Sequence, residues 1–258
     1  MKRIHKKRYR KISKASNLEA VFILLMFSLI TLLSFLSQGY FFNKKIAIYR
    51  NIVARYHVGQ SFFESQDSVV VDQKYVTFVI TKYIELKTLT RDEKYRPLLD
   101  YVFRRLKLNK TIPPEIDKST LSKKIVDTTL DVTIGRTSKI FNIRDIDPEL
   151  LLAIIERESS FNPFAFNPNG IYKMMRDDEI ITDRFPAYGL MQIWQPTFSW
   201  INARYFNLQK KVEELFDIKT NLLFGTILLQ YLYTSDFMAH LAGIEPATSG
   251  SGVQRSIP

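Results

Sequence analysis

From Ala20 to Phe42 the chain runs 23 residues without a charge, AVFILLMFSLITLLSFLSQGYFF. As a helix this run would reach roughly 35 Å at 1.5 Å per residue, enough to cross a hydrocarbon core about 30 Å thick. Tyr40, Phe41 and Phe42 stand at its far end, where aromatic rings favour the membrane interface. The run has no polar face, which argues against a core helix of a globular domain. The pattern predicts a basic tail over 1–19 and a transmembrane signal-anchor helix over 20–42. The competing reading is a cleaved signal peptide with Ser37 and Gly39 as a small-x-small site, but the apolar stretch exceeds the usual length of about 7–15 residues.

Residues 43–138 are harder to read. SVVVDQKYVTFVITKYIELKTL mixes helical spacing with the β-branched alternation of Val76, Phe78 and Ile80, and period alone does not decide between helix and strand. Arg91 to Leu108 reads as an amphipathic helix, with Leu98, Leu99, Val102, Phe103 and Leu106 on one side, broken at Thr111-Ile-Pro-Pro114. Ser119 is placed to cap a following helix, while Thr128 to Ile134 is again β-branched. By position this stretch is expected to be an accessory or stalk region, mixed or helical, ahead of a mainly α domain over 139–236.

Composition changes the picture at one point. The formal charge is +11, yet Lys2, Arg3, Lys6, Lys7, Arg8, Arg10, Lys11 and Lys14 stand in the first 14 residues, leaving 29 basic against 26 acidic residues elsewhere. Basicity confined to a tail argues against nucleic acid as a partner, which would need positive charge spread over a folded surface. The same bias orients the anchor with its N-terminus in the cytoplasm and everything after residue 43 outside. The expected location is therefore the cytoplasmic (inner) membrane, single-pass, with the C-terminal domain in the periplasm or cell-wall space. With no cysteine and three scattered histidines, thiolate chemistry is excluded, and neither a metal nor a cofactor is expected.

The candidate chemistry lies near the start of the third region. Asp147-Pro148-Glu149 has a capping residue, a proline at the first helical position and an acid near the positive end of the dipole. At 100° per residue Leu150, Leu151, Ile154 and Ile155 share an apolar arc; Glu158 falls inside it, and Glu156 on the opposite face, about 160° away. Glu156 is thus expected in solvent, and Glu158 where burial would raise its pKa toward that of a general acid. The bland alternative has Glu158 at the helix end, solvated or paired with an arginine. Downstream, Ala187-Tyr-Gly-Leu-Met-Gln-Ile-Trp-Gln-Pro196 places Gly189 for close backbone approach and Gln192 as a donor and acceptor, while Tyr188, Trp194 and Trp200 offer flat faces for sugar rings. Pro196 opens a helix, TFSWINARYF. Asp217 is placed to cap a last helix, apolar on nearly every side, and therefore central.

Glu158-Ser159 followed by Phe-Asn-Pro, then Gly189-Leu-Met-Gln192, then Asp217, Asn221 and Gly225 ahead of an apolar helix, resembles the soluble-lytic-transglycosylase domain, whose fold is related to goose-type lysozyme. The resemblance covers roughly Phe141 to Thr234. It implies cleavage of the β-1,4 bond between N-acetylmuramic acid and N-acetylglucosamine in peptidoglycan glycan strands. One glutamate, here Glu158, protonates the glycosidic oxygen and then accepts the proton of the muramoyl C6 hydroxyl, which closes on C1 to a 1,6-anhydro sugar. It also implies substrate-binding roles for Ser159, Asn167, Tyr188, Gly189, Met191, Gln192, Trp194 and Asn221. Alternatives are a lysozyme-type hydrolase and a non-catalytic peptidoglycan-binding protein.

Three features depart from the family pattern. Asn167 stands where a serine is usual. Ile171 to Pro186 is an insertion carrying Asp177, Asp178, Glu179 and Asp183, expected as a solvated loop, with a lid or a source of a second carboxylate as alternatives. The Ala-Tyr-Asn motif whose tyrosine reaches the catalytic glutamate does not follow the central helix. Residues 237–258 are small and polar and are expected to be a disordered, non-native tail, read from a frame that runs into an antisense transfer-RNA gene near residue 239.

Overall fold

The computed structural model describes residues 2–58, 72–90, 95–176 and 179–241, with side chains at 26–56, 72–90, 95–170 and 184–234. It divides into two units, 1–47 and 48–258. Helix α1, Lys2–Val58, begins in the first and ends in the second. In the first unit Phe27, Phe35 and Phe41 are each about two-thirds exposed or more. Among the described residues no helix is long and apolar enough to cross a membrane, although side chains 20–25 of the apolar run are not among those described.

The second unit is mainly helical. After α1 come α2 (Gln73–Leu89), α3 (Arg96–Leu108), α4 (Lys118–Thr133), the short α5 (Arg136–Ile140) and α6 (Pro148–Ser159). Strands β1 (Phe166–Arg176), β2 (Glu179–Tyr188) and β3 (Ile193–Trp194) follow, then α7 (Gln195–Phe206), a 3₁₀ turn at Val212–Phe216 and α8 (Ile218–Leu241). The stretch that period left open is a helix: Tyr75, Val76, Val79, Ile80, Tyr83 and Leu86 fall on one buried stripe of α2, and that stripe packs on α6. Packing along the stripe outweighs the modest helix penalty of the β-branched residues. For the same reason Thr129, Val132 and Thr133, buried against neighbours, stay helical at the end of α4. The cap of α4 is Asp117, whose carboxylate accepts from the amides of Ser119 (2.9 Å) and Thr120 (3.2 Å), so Ser119 lies within the helix and does not cap it.

The described residues between 48 and 133 lie in the same unit as the later helices. They belong to the compact unit that holds α6, with α2 and α4 packed against α6 and α4 also against α8. Helix α8 is buried from Thr220 through Leu229, and its start is held by Asp217, which accepts from the amide of Thr220 (3.0 Å). Phe224 on α8 stacks between Phe198 and Phe206 of α7, with ring centroids 5.2 and 5.0 Å away. Helix α8 runs on to Leu241, past the boundary expected at 236; residues 242–258 lie outside the described residues.

The insertion forms a β-hairpin in place of the expected loop. Strands β1 and β2 pair antiparallel from Phe166↔Tyr188 to Arg176↔Glu179, with an irregularity between Asn167 and Gly170, and β3 adds two residues to the far edge of β2. Asp177 and Asp178, two of the acids singled out in the insertion, lie outside the described residues, as do the side chains of Glu179 and Asp183.

Candidate active site

Helix α6 is enclosed along most of its length: every residue from Pro148 to Glu156 is buried. Its start is held from outside. The Asp147 carboxylate makes no capping hydrogen bond to its own helix; it accepts from the Tyr83 hydroxyl of α2 (2.8 Å) and pairs with Lys87 (3.4 Å). Glu149 accepts from Thr90 (2.6 Å). Its end is a backbone device. Ser160 and Phe161 both take left-handed backbone, φ 51° and 64°, which costs about 1–2 kcal/mol for each such residue. Phe161 is fully buried, so core packing holds the strained turn and stops the helix one residue past Glu158.

Glu158 therefore stands where the helix runs out into open space. Two hollows meet there. One, of about 440 Å³, is bounded by Tyr56, Gly170, Trp194, Thr197 and Leu228, and the other, of about 870 Å³, by residues of the α3–α4 and α6–β1 connections. Glu158, Asn167 and Gln192 line both. Among the described residues lining these hollows, Glu158 is the one acid.

The surroundings of Glu158 set its chemistry. The buried Tyr75 of α2 donates its hydroxyl to Glu158 Oε1. Burial pushes the Glu158 carboxyl up to about 7, while the Tyr75 hydrogen bond and the neighbouring Arg157 guanidinium oppose the rise. Burial and then the Glu158 charge hold the Tyr56 and Tyr75 hydroxyls well above the ordinary phenol range, so both stay protonated donors. The Tyr56 hydroxyl donates a hydrogen bond to the Met191 carbonyl (2.7 Å), and the residue lines the smaller hollow from α1.

Glu156 does not reach solvent. It is 2% exposed, its Oε1 lies 2.6 Å from Arg105 Nη2, and its Oε2 accepts from the Tyr101 hydroxyl. On the face of α6 that the helical wheel assigns to water, two side chains of α3 meet the carboxylate with a cation and a donor.

The Gly-Leu-Met-Gln segment is a clasp. Asn221 of α8, 1% exposed, donates Nδ2 to the carbonyls of Tyr188 (2.8 Å) and Leu215 (2.9 Å) and accepts from the Met191 amide (2.8 Å). Gly189 has φ 71°, and a Cβ there would come within 2.3 Å of Asn221 and of the Leu215 carbonyl. A Cβ on Gly225 would meet the Met191 sulfur at 2.1 Å. Gln192, itself at φ 47°, follows the clasp and lines both hollows with Glu158, and its amide donates to the carbonyls of Gly189 (2.9 Å) and Ala165 (3.1 Å).

The family model of the transglycosylase SLT domain matches residues 138–237. Those residues are a transglycosylase SLT domain. No curated protein and no solved structure matches the chain. The SLT domain implies peptidoglycan as the material bound and lytic transglycosylase activity in general. Its matched span contains Glu158, Gln192 and Asn221; Tyr56, Tyr75, Tyr101 and Arg105 all precede it.

The predicted site residues separate into two groups around the SLT cleft. Glu158, Ser159, Asn167, Gln192 and Trp194 line the hollows. Gly189, Met191 and Asn221 are buried and face the clasp, so they hold the site's shape without bordering either hollow. The Tyr188 ring packs on Phe166 and Phe216, with centroids 5.3 and 5.7 Å away. Trp200 likewise packs on Tyr205 and Tyr231 (6.3 and 5.2 Å), and neither it nor Tyr188 borders a hollow. Sequence reasoning missed Tyr56 and Tyr75. The one local signal for Tyr75 is that it shares a stripe with Tyr83, eight residues on, which reaches the start of the same helix α6.

Proposed function

We propose that this chain is a peptidoglycan lytic transglycosylase with Glu158 as its acid and base. Supporting this reading is a carboxyl raised to about 7, hydrogen-bonded by a buried tyrosine, at the junction of two hollows. Near neutral pH a large share of such a group carries its proton. In the forward step Glu158 gives that proton to the glycosidic oxygen, and the C1–O bond of the muramoyl residue breaks. The carboxylate then takes the C6 hydroxyl proton while O6 bonds to C1. The product is a 1,6-anhydro end, no water is consumed, and Glu158 regains its starting state. Tyr75 stabilises the carboxylate between the two half-steps.

The nucleophile belongs to the substrate, so one enzymic carboxylate suffices, whereas hydrolytic glycosidases use a pair about 5–9.5 Å apart. The match of residues 138–237 to the SLT family favours the transglycosylase over the lysozyme-type hydrolase. Tyr75 bears on the non-catalytic alternative, because it supplies a tyrosine donor to Glu158 from before the SLT match. Digestion of purified peptidoglycan by the full chain, read by mass spectrometry, tests the reaction. Fragment ends one water lighter than hydrolysed ends are expected; reducing ends would make the chain a hydrolase, and intact strands a binding protein.

We also propose the 20–42 run as a signal anchor, which would place the SLT domain outside the cytoplasmic membrane. The uncharged run, the exposed phenylalanines and the eight preceding cations favour it. A reporter fused after residue 60 should be extracytoplasmic, and the isolated protein should retain its basic tail. A protein beginning near Tyr40 would convert the anchor into a signal peptide.

A further inference from the structure

Arg157 stands on α6 between the two carboxylates, and it is used differently from the arginine that serves Glu156. Arg105 pairs with that carboxylate. Arg157 is exposed and, among the described residues, forms no ion pair with a carboxylate. Its guanidinium instead lies over two rings of α2, 5.6 Å from the centroid of Tyr75 and 5.7 Å from that of Phe78. Both distances fall within the roughly 6 Å over which an aromatic face holds a cation. Tyr75 and Phe78 are three residues apart on one helix, so a single planar group reaches both. The Tyr75 ring is buried, and its hydroxyl donates to Glu158 Oε1. The contacts thus run from an exposed cation, through a buried ring, to the carboxyl where the two hollows meet. Arg157 itself borders neither hollow.

We propose that Arg157 is a positioning residue, whose guanidinium clamps the Tyr75 ring to α6 and keeps the Tyr75 hydroxyl aimed at Glu158. The proposal rests on the reaction above for what the clamp serves, namely the carboxylate that Glu158 becomes between the two half-steps. A cation on the ring face also draws electron density from the phenol and makes it a better donor. Arg157 and Tyr75 then act together, and both favour the ionised carboxyl against burial. The other titratable groups that face this pair are Tyr56 from α1 and, on the larger hollow, Arg105 and Lys110. The described lining residues from the strands, α7 and α8 carry no charge.

The test reads Glu158 directly and needs no turnover. The full chain is labelled with carbon-13 at its glutamate carboxyls, the Glu158 signal is assigned by its loss in Glu158→Gln, and its titration midpoint is followed by NMR. Arg157→Gln should raise the proton affinity of Glu158 about threefold, an upward move of about half a pH unit. Arg157→Lys, which keeps a cation on the rings, should recover about half of that move or more. In a Tyr75→Phe background the same Arg157→Gln change should move the midpoint less than about half as far, since the hydroxyl it acts through is gone. An equal move in both backgrounds, or no move in either, overturns the clamp. In turnover, Arg157→Gln should lower kcat about fivefold and leave KM within about twofold. A raised KM with an unchanged kcat would make Arg157 a substrate contact and overturns the clamp as well. If the midpoints move as expected while the unaltered chain forms no anhydro ends, the proposed reaction fails and the clamp stands.

Discussion

Two carboxylates lie two residues apart on α6, and the contrast between their ends of the helix explains the site. Around Glu156 the structure is closed: the carboxylate is buried and meets Arg105 and Tyr101 of α3. Around Glu158 it is open, and the carboxyl has one tyrosine donor, a neighbouring guanidinium and two hollows. Burial raises the proton affinity of a carboxyl; close cations and donors lower it. At Glu158 burial prevails. A buried carboxylate is thus a structural link or a proton donor according to what is placed opposite it.

The largest expected effect breaks the open end. Glu158→Gln should reduce anhydro-end formation about 10³-fold, the scale of a lost general acid. A rate within tenfold of the unaltered chain would remove Glu158 from the chemistry. The next largest breaks the closed end. Glu156→Ala strands Arg105 and Tyr101 against a cavity and should lower unfolding stability by about 3 kcal/mol, measured by denaturant melts. A change below about 0.5 kcal/mol would return Glu156 to a solvated face.

Tyr75→Phe links the two ends by removing the donor that Glu158 has and leaving the Glu156 pair intact. Activity should fall about 10- to 100-fold. Because that hydrogen bond lowers the Glu158 pKa, its loss should move the falling limb of the pH profile upward from about 7. A rate loss with an unmoved limb would make Tyr75 a packing residue.

The smallest effect is in stability against pH. The folded Glu158 holds its proton up to about 7, against 4.5 for the ordinary carboxyl. Between those values the folded chain binds a proton that the unfolded chain has released, so stability declines as pH rises through this window and the decline is complete above it. Glu158→Gln should therefore match the unaltered chain at pH 4 and exceed it by roughly 1–2 kcal/mol at pH 8, after a discount for the residue's partial exposure. An equal difference at both pH values would mean that the carboxyl is not raised.

Much of this molecule is determined by local sequence. Pro148 opening α6, Pro196 near the start of α7, Asp217 capping α8 and the apolar α8 itself follow from caps, fixed dihedrals and periodicity, which act over a few residues. Gly189 is legible too, as a position of close backbone approach, whereas Asn221 and Gly225 enter through the family resemblance and their part in the clasp is tertiary. Tertiary structure alone decided what lies opposite each face. A helical wheel ranks the faces of α6 by polarity but carries no information on what meets the polar one, where Arg105 and Tyr101 of α3 reach Glu156. The hydrogen bond from Tyr75 to Glu158 spans 83 residues of chain, and the β-branched α2 that carries it becomes a helix through its packing on α6. Short-range preferences are written in neighbouring residues; the environment that raises a carboxyl's pKa is assembled from distant ones, and it exists only once the helices have met.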